Sequence, residues 1–323
     1  MKTTITEHNV TPLVSICMPA YNCEKYIGET LRCLCAQTYP SIEIIVVDDG
    51  STDATILKIK NVEDTRITCI SVANTGASGA RNIAYGHSKG QYIIFFDADD
   101  FVKPDFVTLQ LKKINNRCDV IVLSAWGRFY NDNIGSFNEV PIPYEEMVLE
   151  EWISYYWYNS SPMTTPGRAL VPKKLIEKAG LWNETLSLND DLEFYTRLFI
   201  QAEKIMFNHD AFFYYRSGID GLSSKKGLSA YQSLFDSVRL STELVLKEMP
   251  YTQSVRQGCA NLWQSFVYEV YPREQQMVKI AEHKIRELGG AKIPYPSGGY
   301  TKFAALLIGW KLTKMLKQIF NDA

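Results

Sequence analysis

Carboxylates crowd three short stretches of this 323-residue chain, and one of them stands directly behind an apolar run. Asp97-Ala98-Asp99-Asp100 follows Gln91-Tyr92-Ile93-Ile94-Phe95-Phe96, six mostly apolar, β-prone residues that read as a buried strand. Carboxylates this close together at the end of a buried strand repel one another and lose hydration, a cost that a cation offsets. Two readings stand at this point: a cation site facing an anionic ligand, or a solvated loop whose acids cap the next helix. The second stretch is Asp48-Asp49-Gly50-Ser51-Thr52-Asp53. It fails as a calcium loop counted from Asp49, because Ala54 and Lys60 occupy the positions that need Gly and Glu. A turn with helix capping by Ser51 or Thr52 is the plain alternative to a ligand contact. The third, Asn189-Asp190-Asp191-Leu192-Glu193-Phe194, either offers a general base or starts a helix with acids that suit its dipole. Arg81, in Gly79-Ala80-Arg81-Asn82, can reach a phosphate or pair with a surface acid.

Alternating elements position these groups. Apolar runs predict strands at 13–18, 42–47, 66–72 and 91–96, the first stopped by Pro19. Helical spacing, as in Ile27, Leu31, Leu34 and Cys35, predicts helices from 24, at 52–60 and at 77–87. Strands alternating with helices through short loops form a parallel sheet covered on both faces, and such sheets bind ligands beyond the carboxyl ends of their strands. The polar turns 19–22, 48–51 and 97–100 gather at that edge. Further on come a helix to about 115, a strand at 119–124, a turn-rich flexible loop at 131–143 and an aromatic helical stretch at 145–157. Short helices at 172–179 and 190–201 precede a strand at 204–216, a loop at 218–227 and helices from 228 to about 288, with breaks near Pro250 and Pro272.

Composition narrows the class of protein. A net charge of −2 gives no general reason to expect nucleic acid as a partner. Seven cysteines, an odd count without C-x-x-C, argue for reduced thiols in a cytoplasmic chain over a disulfide frame or zinc site. The polar stretch 1–11 has no signal-peptide apolar region, and no apolar run is long enough to span a membrane.

Four segments in order, Val14-Ser15-Ile16-Cys17-Met18-Pro19-Ala20-Tyr21-Asn22, Val46-Val47-Asp48-Asp49-Gly50-Ser51-Thr52-Asp53, Gly79-Ala80-Arg81-Asn82 and Phe95-Phe96-Asp97-Ala98-Asp99-Asp100, followed by the acidic pair at 190–191, resemble family 2 glycosyltransferases of the GT-A fold. The resemblance covers roughly 12–216. It implies a mostly parallel α/β sheet flanked by helices and an inverting transfer from a nucleotide-sugar, UDP-linked by preference, to a hydroxyl of a glycan or lipid-linked acceptor. It implies Asp99 as the ligand of Mn2+ or Mg2+, Asp97 near the ribose or a metal-bound water, Asp49 on the base, Pro19 and Tyr21 framing that base, and Asp191 as catalytic base. Asp100 is left between a supporting role and a helix cap. Arg81 is placed near the nucleotide, Arg216 on the diphosphate, and His209 either as a further metal ligand or as a structural histidine. Trp152, Tyr155, Tyr156 and Trp157, with Thr164-Thr165-Pro166-Gly167-Arg168, fall on the acceptor side, unless the rings simply fill a core. The rival readings are a nucleotidyltransferase, against which the lack of a Gly-rich triphosphate loop at 19–22 speaks, and a non-catalytic sugar-nucleotide-binding protein.

The expected organisation is a transferase domain at 1–227, split into a nucleotide half (12–100) and an acceptor half (101–227), and a helical extension at 228–323 that offers either an oligomer surface or an acceptor platform. Near the end, Ile308, Leu312, Met315, Leu316 and Ile319 share one helical face opposite Lys311, Lys314 and Lys317. A basic amphipathic helix of this kind either lies in a membrane interface, here at 300–320 and on the inner face of the cytoplasmic membrane, or packs its apolar face on the domain.

Overall fold

Strand and helix alternate in a computed structural model much as the apolar periodicity dictates. It describes residues 11–161, 165–219, 221 and 226–321; Thr164 and half of the 218–227 loop lie outside them. The chain divides into two compact units, one holding 1–146, 165–184 and 205–219, the other 147–164, 185–204 and 220–323.

In the first unit, β1 (Val14–Ala20), α1 (Ile27–Cys35), β2 (Ile42–Asp48), α2 (Thr55–Lys60), β3 (Ile67–Ser71), α3 (Gly76–His87) and β4 (Tyr92–Phe95) follow in order. β1 lies parallel between β2 and β4, and β3 is parallel to β2. β1, β2 and β4 are buried on both faces, as parallel strands are when helices cover the sheet, whereas β3, at the edge, is half-exposed. α3 buries the small residues Ser78, Gly79, Ala80 and Ala84 and lies against β1 and β2. β1 runs through Pro19, where a stop was expected. Cys17 accepts from Phe96 on the β4 side, so Pro19, two residues on, faces the side where β4 has ended and no N–H is required.

β5 (Phe101–Val102), α4 (Phe106–Ile114), β6 (Val120–Tyr130) and β7 (Asn133–Val140) come next. The expected loop at 131–143 is instead mostly the β6–β7 hairpin. Asn131 and Asp132 both take positive φ, the backbone of a two-residue hairpin turn that suits the strand twist. After β8 (Glu146–Met147), the second unit begins with α5 (Leu149–Trp152) and a π-helical turn at Ile153–Trp157. The chain then returns to the first unit with a 3-10 turn (Pro166–Arg168), β9 (Ala169–Pro172) and α6 (Lys173–Ala179). β9 inserts antiparallel between β4 and β6.

α7 (Asp190–Gln201) belongs to the second unit, and β10 (Lys204–Ser217) brings the chain back to pair with β5. The second unit is completed by α8 (Leu228–Glu248), α9 (Gln253–Val270), α10 (Gln275–Glu287), α11 (Tyr300–Ile308) and α12 (Trp310–Asn321). The expected boundary at 227/228 therefore does not follow the contacts: α5, the π-helical turn and α7 join α8 to α10. The cause is an aromatic core. Trp152 packs 4.9 Å from Phe199, and Phe235 lies 5.3 Å from Trp263 and 5.5 Å from Phe266. Trp152, Tyr156 and Trp157 are buried, so three of the four rings assigned to the acceptor side fill this core. Arg168 is buried too, giving its guanidinium to the Ser124 carbonyl at 2.8 and 3.0 Å. All seven cysteines are free thiols. Among the described residues, no helix is long and apolar enough to cross a membrane.

Candidate active site

The parallel register brings the ends of β1, β2 and β4 to one edge, with Ala20 beside Asp48 and Cys17 beside Phe95. Side chains lace the turns beyond them together. Asn22 takes a positive φ, donates its N–H to Ser51 Oγ at 3.0 Å and accepts from Thr52 N–H at 2.8 Å. Ser51 and Thr52 thus serve the β1 turn instead of capping α2, whose first amides donate to Asp53 (2.9 Å) and Glu24 (2.7 Å). Asp49 is buried, and its carboxylate accepts from Thr75 N–H (2.6 Å), Thr75 O–H (2.9 Å) and Gly76 N–H (2.9 Å). Three of its four lone-pair positions are therefore spent on starting α3. Tyr21, by contrast, is exposed at the rim, with Pro19 half-buried below it.

The acidic turn follows β4. Asp97 accepts from the Arg81 guanidinium at 2.7 Å, and that guanidinium lies 4.5 Å over the Trp182 ring. Arg81 is part of α3 and buried, so it reaches Asp97 from within the fold. Asp100 is buried; one oxygen accepts from the Arg216 N–H at 2.9 Å, while the other, Oδ2, has no hydrogen-bond partner. Burial first, and Asp97 second, push the Asp99 carboxyl up to about 7. Burial, then Asp99, then Asp97, raise Asp100 well above the usual carboxylate range. The Tyr215 phenol is raised by burial and then by the same three acids.

Arg216 proves to be a strut. Its Nε donates to the Asp99 carbonyl at 2.6 Å, and its two terminal nitrogens pair with Asp132 (2.5 Å) and Glu29 (2.8 Å). The guanidinium stands 4.7 Å from both the Tyr26 and Phe129 rings and is almost fully buried. Each of its three nitrogens donates to protein, and in this arrangement the side chain holds the turn from beneath. Lys25 joins at Asp132, 3.1 Å away. The turn and its surroundings thus hold five acids (Glu29, Asp97, Asp99, Asp100, Asp132) against three paired cations (Lys25, Arg81, Arg216), and burial keeps protons on Asp99 and Asp100 to a higher pH than usual. Behind it, Phe96 meets Phe213 edge-on at 5.6 Å, and a Cβ on Gly167 would collide with the Phe213 ring.

His209 lies elsewhere on β10. Its Nε2 donates to the Tyr144 carbonyl at 3.1 Å and lies 3.4 Å from Glu145. Seven residues of strand, ~23 Å at ~3.3 Å each, separate it from Arg216, so it does not join Asp99 in one metal site. Asp190 and Asp191 form the first turn of α7 in the second unit, both part-exposed. Asn189 precedes them in the left-handed region and is fixed by Ser237 of α8, which donates to its carbonyl and accepts from its side-chain amide. Asp191 Oδ1 accepts from Leu192 N–H at 2.9 Å. Glu29, Asp132, Trp182 and Tyr215 were not singled out from the sequence. The Arg216–Glu29 pair bridges 187 positions, a separation that leaves no local pattern; only the Asn131-Asp132 turn residues hinted at a tight corner.

The description "Glycosyl transferase family 2" belongs to the family model that matches residues 15–180. Glycosyltransferase GlyG of Streptococcus pneumoniae is 31% identical over 221 residues, covering 64% of this chain and 71% of GlyG. WfaP of Escherichia coli, a UDP-Glc:alpha-D-GlcNAc-diphosphoundecaprenol beta-1,3-glucosyltransferase, is 49% identical over 90 residues, 28% of this chain and 36% of WfaP. The chain thus matches only about a third of WfaP. Among solved structures, S. aureus TarS 1–349 in complex with UDP-GlcNAc superposes with a TM-score of 0.68 at 20% identity, over 85% of this chain and 81% of TarS 1–349. That likeness shows the GT-A fold. With the family model spanning half of the chain over the segments that build the acidic edge, the chain is a glycosyltransferase of family 2.

Proposed function

We propose that the chain moves a sugar, with inversion, from a UDP-sugar to a hydroxyl of a glycan or lipid-linked acceptor in surface polysaccharide synthesis, with Mn2+ or Mg2+ at the acidic turn. The observation that carries this reading is the crowding of Asp97, Asp99 and Asp100 on one turn, where Asp100 Oδ2 lacks a partner among the described residues and burial with Asp97 pushes Asp99 up to about 7. A divalent oxygen-seeking cation would displace the held proton and fits such a cluster. Among the described residues no three His, Cys, Asp or Glu side chains group for an ion. A cation here would take one or two carboxylates and complete its shell with phosphate and water, as Mg2+ does in nucleotide sites. Support for the nucleotide comes from the TarS complex with UDP-GlcNAc, and for the acceptor class from the substrate in WfaP's name.

In this reading Asp99 holds the metal, which supplies charge neutralisation to the departing diphosphate. Asp97, steadied by Arg81, meets the ribose. Tyr21 and Pro19 frame the base, and the remaining lone pair of Asp49 accepts its imide N–H. Asp191 takes the proton of the acceptor hydroxyl as that oxygen bonds to the anomeric carbon and the carbon–diphosphate bond breaks. A single displacement with one base inverts the configuration.

Transfer and donor hydrolysis across a panel of nucleotide sugars, with and without Mn2+, tests the proposal. Asp191→Asn should lower turnover about 10²–10⁴-fold while donor affinity stays within about twofold. Asp99→Ala should abolish the Mn2+ response. Full transfer by Asp191→Asn, or activity indifferent to chelation, overturns the respective assignment.

A further inference from the structure

The C-terminal helices pack inside out. On α12, Thr313 is buried and Trp310 sits among Tyr268 (4.9 Å), Tyr271 (5.3 Å) and Tyr295 (5.7 Å), stacked on the last. Lys314 reaches into the body of the unit and donates to the carbonyls of Tyr268 and Glu269, in the last turn of α9, where cations suit a helix's negative end. Lys311 pairs with Glu282 of α10 at 2.6 Å. Lysines, a threonine, one tryptophan and the Met315 sulfur, which accepts from the Tyr271 hydroxyl at 3.4 Å, therefore dock α12, while Leu312 and Leu316 face outward. Leu312, Met315 and Leu316 are exposed on α12, and Phe303, Leu306 and Leu307 on α11 are exposed by 68%, 77% and 85%. The spacing i, i+3, i+4 sets each trio on one helix face, and the two helices pack on each other. Among the described residues, the face that the sequence predicts as apolar is thus left largely uncovered by the unit.

Charge says what covers the patch. Residues 291–321 carry Lys292, Lys302, Lys311, Lys314 and Lys317 and no acid. Lys302 and Lys317 are exposed beside the leucines, while Lys311 and Lys314 are engaged with the body. Gly309 breaks the run with a positive φ, and α11, nine residues long, reaches only ~14 Å against the ~30 Å of a bilayer core. A short, broken, leucine-rich pair of helices flanked by lysine cannot span a membrane but suits its surface.

We propose that α11 and α12 seat the enzyme on a bilayer bearing anionic headgroups. Phe303, Leu306, Leu307, Leu312 and Leu316 enter the headgroup–acyl boundary, and Lys302 and Lys317 meet the lipid phosphates. This seat does not depend on which sugar is moved, and it deepens the acceptor reading by placing the enzyme where lipid-linked acceptors reside.

Vesicle flotation of the full chain is the test, using phosphatidylcholine alone or with about one-third phosphatidylglycerol. The chain floats with the anionic vesicles. Leu306→Glu with Leu307→Glu lowers partitioning about 100-fold or more. Lys302→Ala with Lys317→Ala lowers it about fivefold per lysine on anionic vesicles, an effect that fades in high salt. Donor hydrolysis in solution and the unfolding midpoint stay at wild-type values in both variants, since these side chains face solvent. Failure of the full chain to float, or equal flotation of the leucine variant, overturns the proposal. So does light scattering that shows the leucine pair holding two copies of the chain together without lipid.

Discussion

Replacing Arg216 by alanine removes the side chain that ties the acidic turn to α1 and to the β6–β7 hairpin. The structure allows the cost to be apportioned. The two outer ion pairs count for little, because Glu29 and Asp132 are 47% and 43% exposed and water screens both. The 2.6 Å bond to the Asp99 carbonyl is different: it is made by a charged donor almost fully withdrawn from water, and its loss costs about 1.5–3 kcal/mol. Removing the guanidinium from between Tyr26 and Phe129 adds about 1 kcal/mol. A total near 3–5 kcal/mol follows for Arg216→Ala, and about half that for Arg216→Lys, which keeps a charge but cannot reach three acceptors from one nitrogen. The assay is urea unfolding without nucleotide or metal, paired with titration of UDP in Mn2+. A strut lowers ligand-free stability by that amount and weakens UDP secondarily, as Asp99 loses its anchor. Wild-type ligand-free unfolding in both variants, together with lost UDP affinity, would refute the strut and restore Arg216 to the diphosphate.

Two further expectations follow from the same edge. Asp49→Ala strips the acceptor from the first amides of α3 and lowers ligand-free stability by about 2–4 kcal/mol, read by urea unfolding; an unchanged midpoint with weaker UDP binding would make Asp49 a base contact only. The Asp99 carboxyl, raised from its ordinary 3.8 to about 7, gives a pH dependence of definite sign. A folded value above the unfolded one means that the metal-free fold holds the extra proton, so its stability falls as pH rises from about 4 to 7, by at most ~1.4 kcal/mol per pH unit. Subtracting the profile of Asp99→Asn isolates this slope, Mn2+ should reverse it, and a flat difference profile speaks against it.

How much of this was legible in the sequence depends on the range of the interactions. The parallel strands and the meeting of three polar turns at one edge follow from local periodicity, and the structure has them. α2 started later than expected because Asn22, Glu24 and Asp53, from two different turns, satisfy the amides before it. The 131–143 stretch looked like a loop because its signal is polar, yet Asn131-Asp132 also suits a tight hairpin turn, and β6 supplied the partner. Arg216 and His209 could not be sorted by type: both lie on β10 among apolar residues, and only partners brought from positions 29, 99, 132 and 144 separate a strut from a surface pair. The division by contacts runs differently from the expected boundary for a similar reason. The aromatic residues at 152–157 and 194–199 carry no mark of which core they join.

Gly167 sets a limit on how this enzyme can change. Its missing side chain lets the 3-10 turn rest on the ring of Phe213, which braces Phe96, the residue immediately before Asp97. Any larger residue must push that ring, which meets Phe96 edge-on at 5.6 Å. The position is therefore closed to substitution for a reason remote from any substrate. A library that diversifies the neighbouring surface for a new sugar specificity should hold residue 167 constant, because variation there displaces the acids before it reshapes the pocket.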